Sequence, residues 1–192
     1  MVPHSQANAG GKPHLVHIVP TLDFNAAKVV QEVDPSCIGI VLECGYTPKS
    51  TRDVKNRFPL PERVVTAETL KPWQPCNFKF EMIRQLKKAN PKLSVVVRGI
   101  MAAEDAVKAA ECGASAVWVH NDGSFFKSAP SPISVLPYIS AALKRNHPDV
   151  EVFLQGGVRR GTDVLKAVAF GASAVFLDPE FPLWAILSSG QP

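Results

Sequence analysis

No stretch of this 192-residue chain is long and apolar enough to cross a bilayer. No run of lysine and arginine of the kind that nucleic acid asks for occurs either, and the formal net charge is only +4. No Cys-x-x-Cys is present. The four cysteines, Cys37, Cys44, Cys76 and Cys112, lie far apart. That spacing argues against a metal site or a disulfide framework, and for reduced thiols in an intracellular protein. The opening MVPHSQANAGGKPH lacks the apolar core of a secretory signal. The closing SSGQP is no targeting tripeptide of the Ser-Lys-Leu kind. What is there is ordinary for a globular domain: 46% hydrophobic and 20% charged residues. This composition and length predict one domain over 14–192, behind a disordered lead-in at 1–13.

The most informative stretch is 151–177, EVFLQGGVRRGTDVLKAVAFGASAVFL. Val152, Phe153 and Leu154 form a short β-type run. Gly156 and Gly157 permit a tight turn and close backbone approach to a ligand. Gly161-Thr162-Asp163 opens a helix whose Val164, Leu165, Val168 and Ala169 repeat at helical spacing. Gly171 stops that helix, and Ala174 to Leu177 is the next buried strand. A glycine turn entering a helix N-terminus, with Arg159 and Arg160 in the turn, suits a phosphate: free N–H groups, a favourable dipole and cations converge there. An ordinary strand–helix turn with two solvated arginines has the same pattern, and both readings stand at this point.

Six strands are expected, near 15–19, 38–42, 93–97, 115–119, 151–155 and 173–177. Helices are expected over 25–33, 78–89, 103–112, 132–146 and from 161. The helix at 78–89 groups Phe80, Ile83, Leu86 and Lys87, while Lys87, Lys88, Lys144 and Arg145 read as solvated charges. Between Glu43 and Asn77 the pattern is lost, and a loop that long is functional or disordered. Gly113-Ala114-Ser115-Ala116-Val117 recurs as Gly171-Ala172-Ser173-Ala174-Val175, each copy following an alanine-rich helix and starting a strand. Such repetition within strand–helix alternation argues for a parallel α/β architecture. Six strands fit an open sheet, or a barrel short of its eight. Trp73, Trp118 and Trp184 read as packing residues.

These residues resemble the FMN-dependent 2-hydroxy-acid oxidases and dehydrogenases, the group of glycolate oxidase, lactate oxidase and flavocytochrome b2. The likeness is carried by Asp53-Val54-Lys55-Asn56-Arg57-Phe58 with Leu60-Pro61, by Val97-Arg98-Gly99-Ile100 with Ala103-Glu104-Asp105-Ala106, and above all by Gly156-Gly157-Val158-Arg159-Arg160-Gly161-Thr162-Asp163-Val164. It spans the chain from about Leu15 onward. It implies an α/β fold, a partial TIM (β/α)8 barrel with six of the eight βα units, and FMN at the C-terminal ends of the strands. It also implies a small-molecule substrate, and a cytoplasmic or peroxisomal setting.

Position by position, the resemblance puts Gly156, Gly157, Val158 and Arg159 on the family's FMN phosphate loop, and Gln155 where an aspartate is usual. Arg98 stands on the lysine beside the flavin ring, and Asp178-Pro179 replaces a second phosphate contact. The Ser-Asn-His-Gly motif that carries the proton-abstracting histidine reads His120-Asn121-Asp122-Gly123. Asp122 therefore stands on the base, and Phe125 on the arginine that binds the substrate carboxylate. Val19 and His17 stand on the family's tyrosine and on the glutamine next to it. Alternation along an extended segment can put His120 and Asp122 on one side, as an Asp–His pair with His120 as base. With base, anchor and tyrosine all changed, these residues predict that ordinary 2-hydroxy-acid oxidation is not this chain's reaction. Two classes follow: a flavoenzyme acting on a substrate without a carboxylate, or a non-catalytic relative serving as a binding or scaffold protein. An incomplete barrel also predicts self-association through its exposed edges.

Overall fold

A computed structural model describes residues 13–20, 22–45, 77–121 and 129–177. The lead-in expected at 1–13 therefore lies almost wholly outside the described residues, and so does nearly all of the long loop. Among the described residues there are six strands: β1 (His14–Ile18), β2 (Cys37–Glu43), β3 (Ser94–Ile100), β4 (Ala116–Val119), β5 (Glu151–Gln155) and β6 (Ala174–Phe176). Among the same residues five helices alternate with them: α1 (Ala26–Glu32), α2 (Glu81–Ala89), α3 (Ala103–Glu111), α4 (Pro132–Asn146) and α5 (Gly161–Ala169). All neighbouring strands are parallel, and their order in the sheet is their order in the chain. A doubly wound sheet would reverse its order at a switch point. Unbroken sequential order is the winding of a barrel, here six strands of one.

The central strands β2, β3 and β4 are largely apolar and buried on both faces. On the convex face Ile40, Leu42, Val95, Val97, Val117, Val119, Val152 and Leu154 meet the helices in one continuous core. Ala106, Ala109 and Ala110 present small side chains there, so α3 lies close to the sheet. On the concave face the ladder sets Val41, Val96 and Ala116 side by side as a small apolar layer. Two residues further along, Glu43, Arg98, Trp118 and Phe153 form the next layer. This second layer lies toward the C-terminal ends of the strands, the end at which barrels place their chemistry.

The two Gly-Ala-Ser joints close in the same way. Ala114 N–H donates to Ala109 O and Ala172 N–H to Ala167 O, each at 3.0 Å, satisfying a carbonyl of the last helical turn. Ser115 N–H then donates to Val95 O and Ser173 N–H to Val152 O, which starts the new strand against its neighbour. Gly113 and Gly171 supply the positive φ, 96° and 99°, that this reversal needs.

Four expectations are corrected. The third strand does not end at Val97: it continues through Arg98 and a bulge at Gly99 to Ile100. The helix at 78–89 begins at Glu81, and Phe80 is its cap residue, stacked edge-on to Phe78 and lying under the Lys108 ammonium. Lys87 is no free surface charge, for its Nζ donates to Pro91 O and Leu93 O and ties down the turn after α2. Finally, α5 turns Ala167 inward and leaves Leu165 and Val168 exposed. Its apolar spacing is real, but the sheet needs only one narrow stripe of so short a helix.

Candidate functional site

Glu43 ends β2 and is 1% exposed. Among the described residues its carboxylate meets these donors. The Arg98 guanidinium of β3 binds Oε2. His17 Nε2 of β1 lies 3.1 Å from the same oxygen, and the Gly45 N–H donates to Oε1 at 3.3 Å. A buried carboxylate is tolerable only with such partners. Parallel pairing creates the arrangement, since Glu43 and Arg98 are direct neighbours in the β2–β3 register. The backbone closes round it. Cys44 N–H donates to Arg98 O at 2.8 Å, and Gly45 and Gly99 pack so closely that a Cβ on Gly99 would lie 2.6 Å from Gly45 N and 2.9 Å from Glu43 Oε1.

Arg98 has an aromatic neighbour on its other side. Its Cζ stands 5.7 Å from the Trp118 ring centroid, within reach of a cation–π contact. Trp118 in turn lies 4.0 Å from the Phe176 ring and 6.2 Å from Phe153. The concave layer therefore reads, from β1 to β6, as imidazole, carboxylate, guanidinium and three aromatic rings. Trp118 is a packing residue, but on this inner wall.

The glycine turn lies at the same end of the sheet. Gly156 (φ 111°) and Gly157 (φ 73°) both adopt the left-handed region. Val158, 7% exposed, anchors the turn, while Arg159 stays exposed. Asp163 Oδ2 accepts both the Arg159 and Arg160 N–H groups at 3.1 Å and caps α5. Chiefly through the Arg159 N–H, with the Arg160 N–H adding, its carboxyl is held below its usual range.

His120 follows β4 directly and is buried, 5% exposed. Its Nδ1 faces the backbone O of Gln155 at 3.4 Å, and a Cβ on Gly156 would lie 4.0 Å from that nitrogen. A carbonyl only accepts, so Nδ1 carries the hydrogen and, in the neutral ring, Nε2 carries the lone pair. The structure thus brings His120, Gln155 and Gly156 together on one rim, and Arg98 onto the neighbouring wall. Asp122, Phe125, Trp73, Trp184, the Asp178-Pro179 pair and the Asp53–Phe58 and Leu60-Pro61 segments lie outside the described residues. Glu43 was missed by sequence reasoning, which read it as the first residue of a loop. The available signal was a carboxylate closing an unbroken apolar run.

FMN can be tested against these residues. A Cβ on Gly157 would meet nothing within 4 Å, so the space over the turn is open, and Arg159 stands exposed beside it. That is a fit for a phosphate. The Arg98 guanidinium, which the resemblance sets beside a flavin ring, is held by Glu43. Among the described residues, no group of three or more His, Cys, Asp or Glu side chains is arranged to hold a metal, and no helix is long and apolar enough to cross a membrane.

Comparison with known proteins agrees with this fold. The family model described as FMN-dependent dehydrogenase matches residues 28–192. A 2-hydroxyacid oxidase of Dictyostelium discoideum is 32% identical over 180 residues, 85% of this chain and 45% of the relative. A pre-mycofactocin synthase of Mycobacterium tuberculosis is 42% identical over 97 residues, 50% of this chain and 24% of that protein. Among solved structures, a mandelate oxidase variant with (S)-mandelic acid superposes with a TM-score of 0.72 at 33% identity, covering 95% of this chain and 53% of that one. The chain spans about half the length of these relatives, or less.

Proposed function

Because this chain belongs to the FMN-dependent dehydrogenase family, the group of the 2-hydroxy-acid oxidases, we propose that its concave C-terminal mouth holds FMN and serves an oxidoreductase. Gly156, Gly157, Val158 and Arg159 take the phosphate, through backbone N–H groups and one guanidinium. Gln155 and Arg98 line the flavin side. FMN supplies a two-electron acceptor there. His120, buried on the same rim with its Nδ1 hydrogen turned to Gln155 O, is the base. Asp122, on the family's histidine position, is the other residue assigned to proton transfer. The substrate is a small molecule.

One observation carries the reading: the two consecutive positive-φ glycines before α5, with open space above Gly157. The test is a titration of the protein with FMN, followed by flavin fluorescence. Arg159→Ala removes one charge-assisted contact and is expected to weaken binding by at least about tenfold. Equal affinity in both proteins rejects the phosphate assignment.

A second reading, a non-catalytic relative of the same fold, draws on the Glu43–Arg98 pair, which ties up the cation nearest the flavin side. One relative bears the name of a synthase rather than of a hydroxy-acid oxidase, so membership of the family does not fix the reaction. Protein that retains FMN but whose flavin no alcohol reduces supports this second reading. The edge strands β1 and β6 of the described sheet support self-association. A single monomeric species in light scattering refutes it.

A further inference from the structure

We propose that His17 is a further proton-transfer residue of this mouth, a base that Glu43 holds in place. The inference rests on reading the mouth as the substrate end of a flavin site, and it adds a group to the proton chemistry of that site. His17 stands on β1 opposite Val41 of β2, in the register that sets both on the concave face. Its Nε2 lies 3.1 Å from Glu43 Oε2, yet its side chain is 43% exposed. Glu43 is buried, and the Arg98 guanidinium and the Gly45 N–H fix its carboxylate. One ring nitrogen is thus anchored in the wall while the ring itself reaches solvent.

A carboxylate accepts and does not donate, so Nε2 carries the hydrogen and, in the neutral ring, Nδ1 carries the lone pair. Among the described residues Nδ1 meets no partner. This is the arrangement of an oriented base: one nitrogen held by an acid, the other free to take a proton. His120 lies three strands away and is buried, whereas His17 is open to water. A proton leaving a substrate hydroxyl or acidic C–H in the mouth goes to Nδ1. The imidazolium so formed keeps its Nε2–H on Glu43 and returns the Nδ1 proton to water. His17 is the catalytic residue here, and Glu43 is a positioning residue that acts through orientation.

The test replaces His17 by glutamine. Its amide can still donate to Glu43 but offers no nitrogen lone pair to a proton, so a His17 that merely satisfies Glu43 is replaced without effect. The probe is 5-nitrobenzisoxazole, an aromatic body suited to the wall of Trp118, Phe153 and Phe176. A base takes the proton from its isoxazole carbon, the N–O bond breaks, and a coloured cyanonitrophenolate forms without any flavin. The full chain is expected to accelerate this opening over buffer, and His17→Gln to slow it at least about tenfold. His147→Gln, between α4 and β5 at the other end of the sheet, is expected to leave the rate within about twofold. A wild-type rate no faster than buffer, or a His17→Gln rate equal to wild type, overturns the proposal. The nitrogen NMR shifts of the wild-type His17 ring give a second readout at about pH 8, where an ordinary imidazole is neutral. Hydrogen on Nε2 alone is expected, and hydrogen on Nδ1 overturns the proposal. If His17→Gln does not fold, these shifts decide alone. FMN retention is read separately by absorbance, so a mouth that loses FMN and a His17 that moves no proton are distinguishable.

Discussion

Replacing Gly99 by alanine strikes at the packing that holds the Glu43–Arg98 pair in place. Two terms add. The residue sits at φ 99°, which costs a side chain with a Cβ about 1–2 kcal/mol. The new Cβ would also lie 2.6 Å from Gly45 N, 2.9 Å from Gly45 Cα and 2.9 Å from Glu43 Oε1. Two of those atoms are backbone and the third is a buried carboxylate, so none can move aside freely. Overpacking of this kind costs a further ~1–3 kcal/mol. The sum, about 2–5 kcal/mol, corresponds to a melting temperature lower by roughly 4–20 °C in a domain of this size. Gly157→Ala is the internal control. Its φ is 73°, but its Cβ would touch nothing within 4 Å, so only the first term of about 1–2 kcal/mol applies. Urea unfolding and thermal melts followed by circular dichroism measure both variants. Equal destabilisation, within about 0.5 kcal/mol, would refute the claim that Gly99 is there to let two backbones close around Glu43.

Other expectations follow from the same residues. Glu43→Ala takes from Arg98 its carboxylate and should cost ~3–5 kcal/mol, whereas a paired Glu43→Leu, Arg98→Met exchange should recover most of that; denaturant melts of the single and double variants decide. Folding depresses the pKa of Asp163, so the capping it provides is complete above the unfolded-state pKa and is lost as pH falls through the lower folded one. Amide exchange at Arg159 and Arg160 should therefore quicken only below about pH 4, and Asp163→Asn should abolish that acid step. If His120 is the base, His120→Ala slows reduction of the bound flavin by about a hundredfold or more; an unchanged rate removes it from the chemistry.

The strands and helices were legible because each is a local pattern. Apolar runs such as Ile40 to Leu42 and Val95 to Val97 mark strands buried on both faces, and Gly113 and Gly171 mark the helix stops. The repeated Gly-Ala-Ser joint pointed to parallel winding, and the matching hydrogen bonds at Ser115 and Ser173 bear that out. The glycine turn was legible for the same reason, since its residues are contiguous. Glu43 was not. Its partner is 55 positions away along the chain, and strand register alone brings the two together, which no local pattern encodes. Arg98 was singled out by resemblance, but its pairing was invisible. The exposed face of α5 was misjudged for a related reason: helical spacing says which side chains share a face, not which face the sheet will cover.

The most direct test of the central claim, that this mouth holds FMN, is the visible absorption spectrum of the purified chain after incubation with FMN and removal of free flavin by filtration. The account predicts that the flavin bands stay with the protein and are lost from Arg159→Ala. A colourless wild-type protein, with all the flavin in the filtrate, would contradict it.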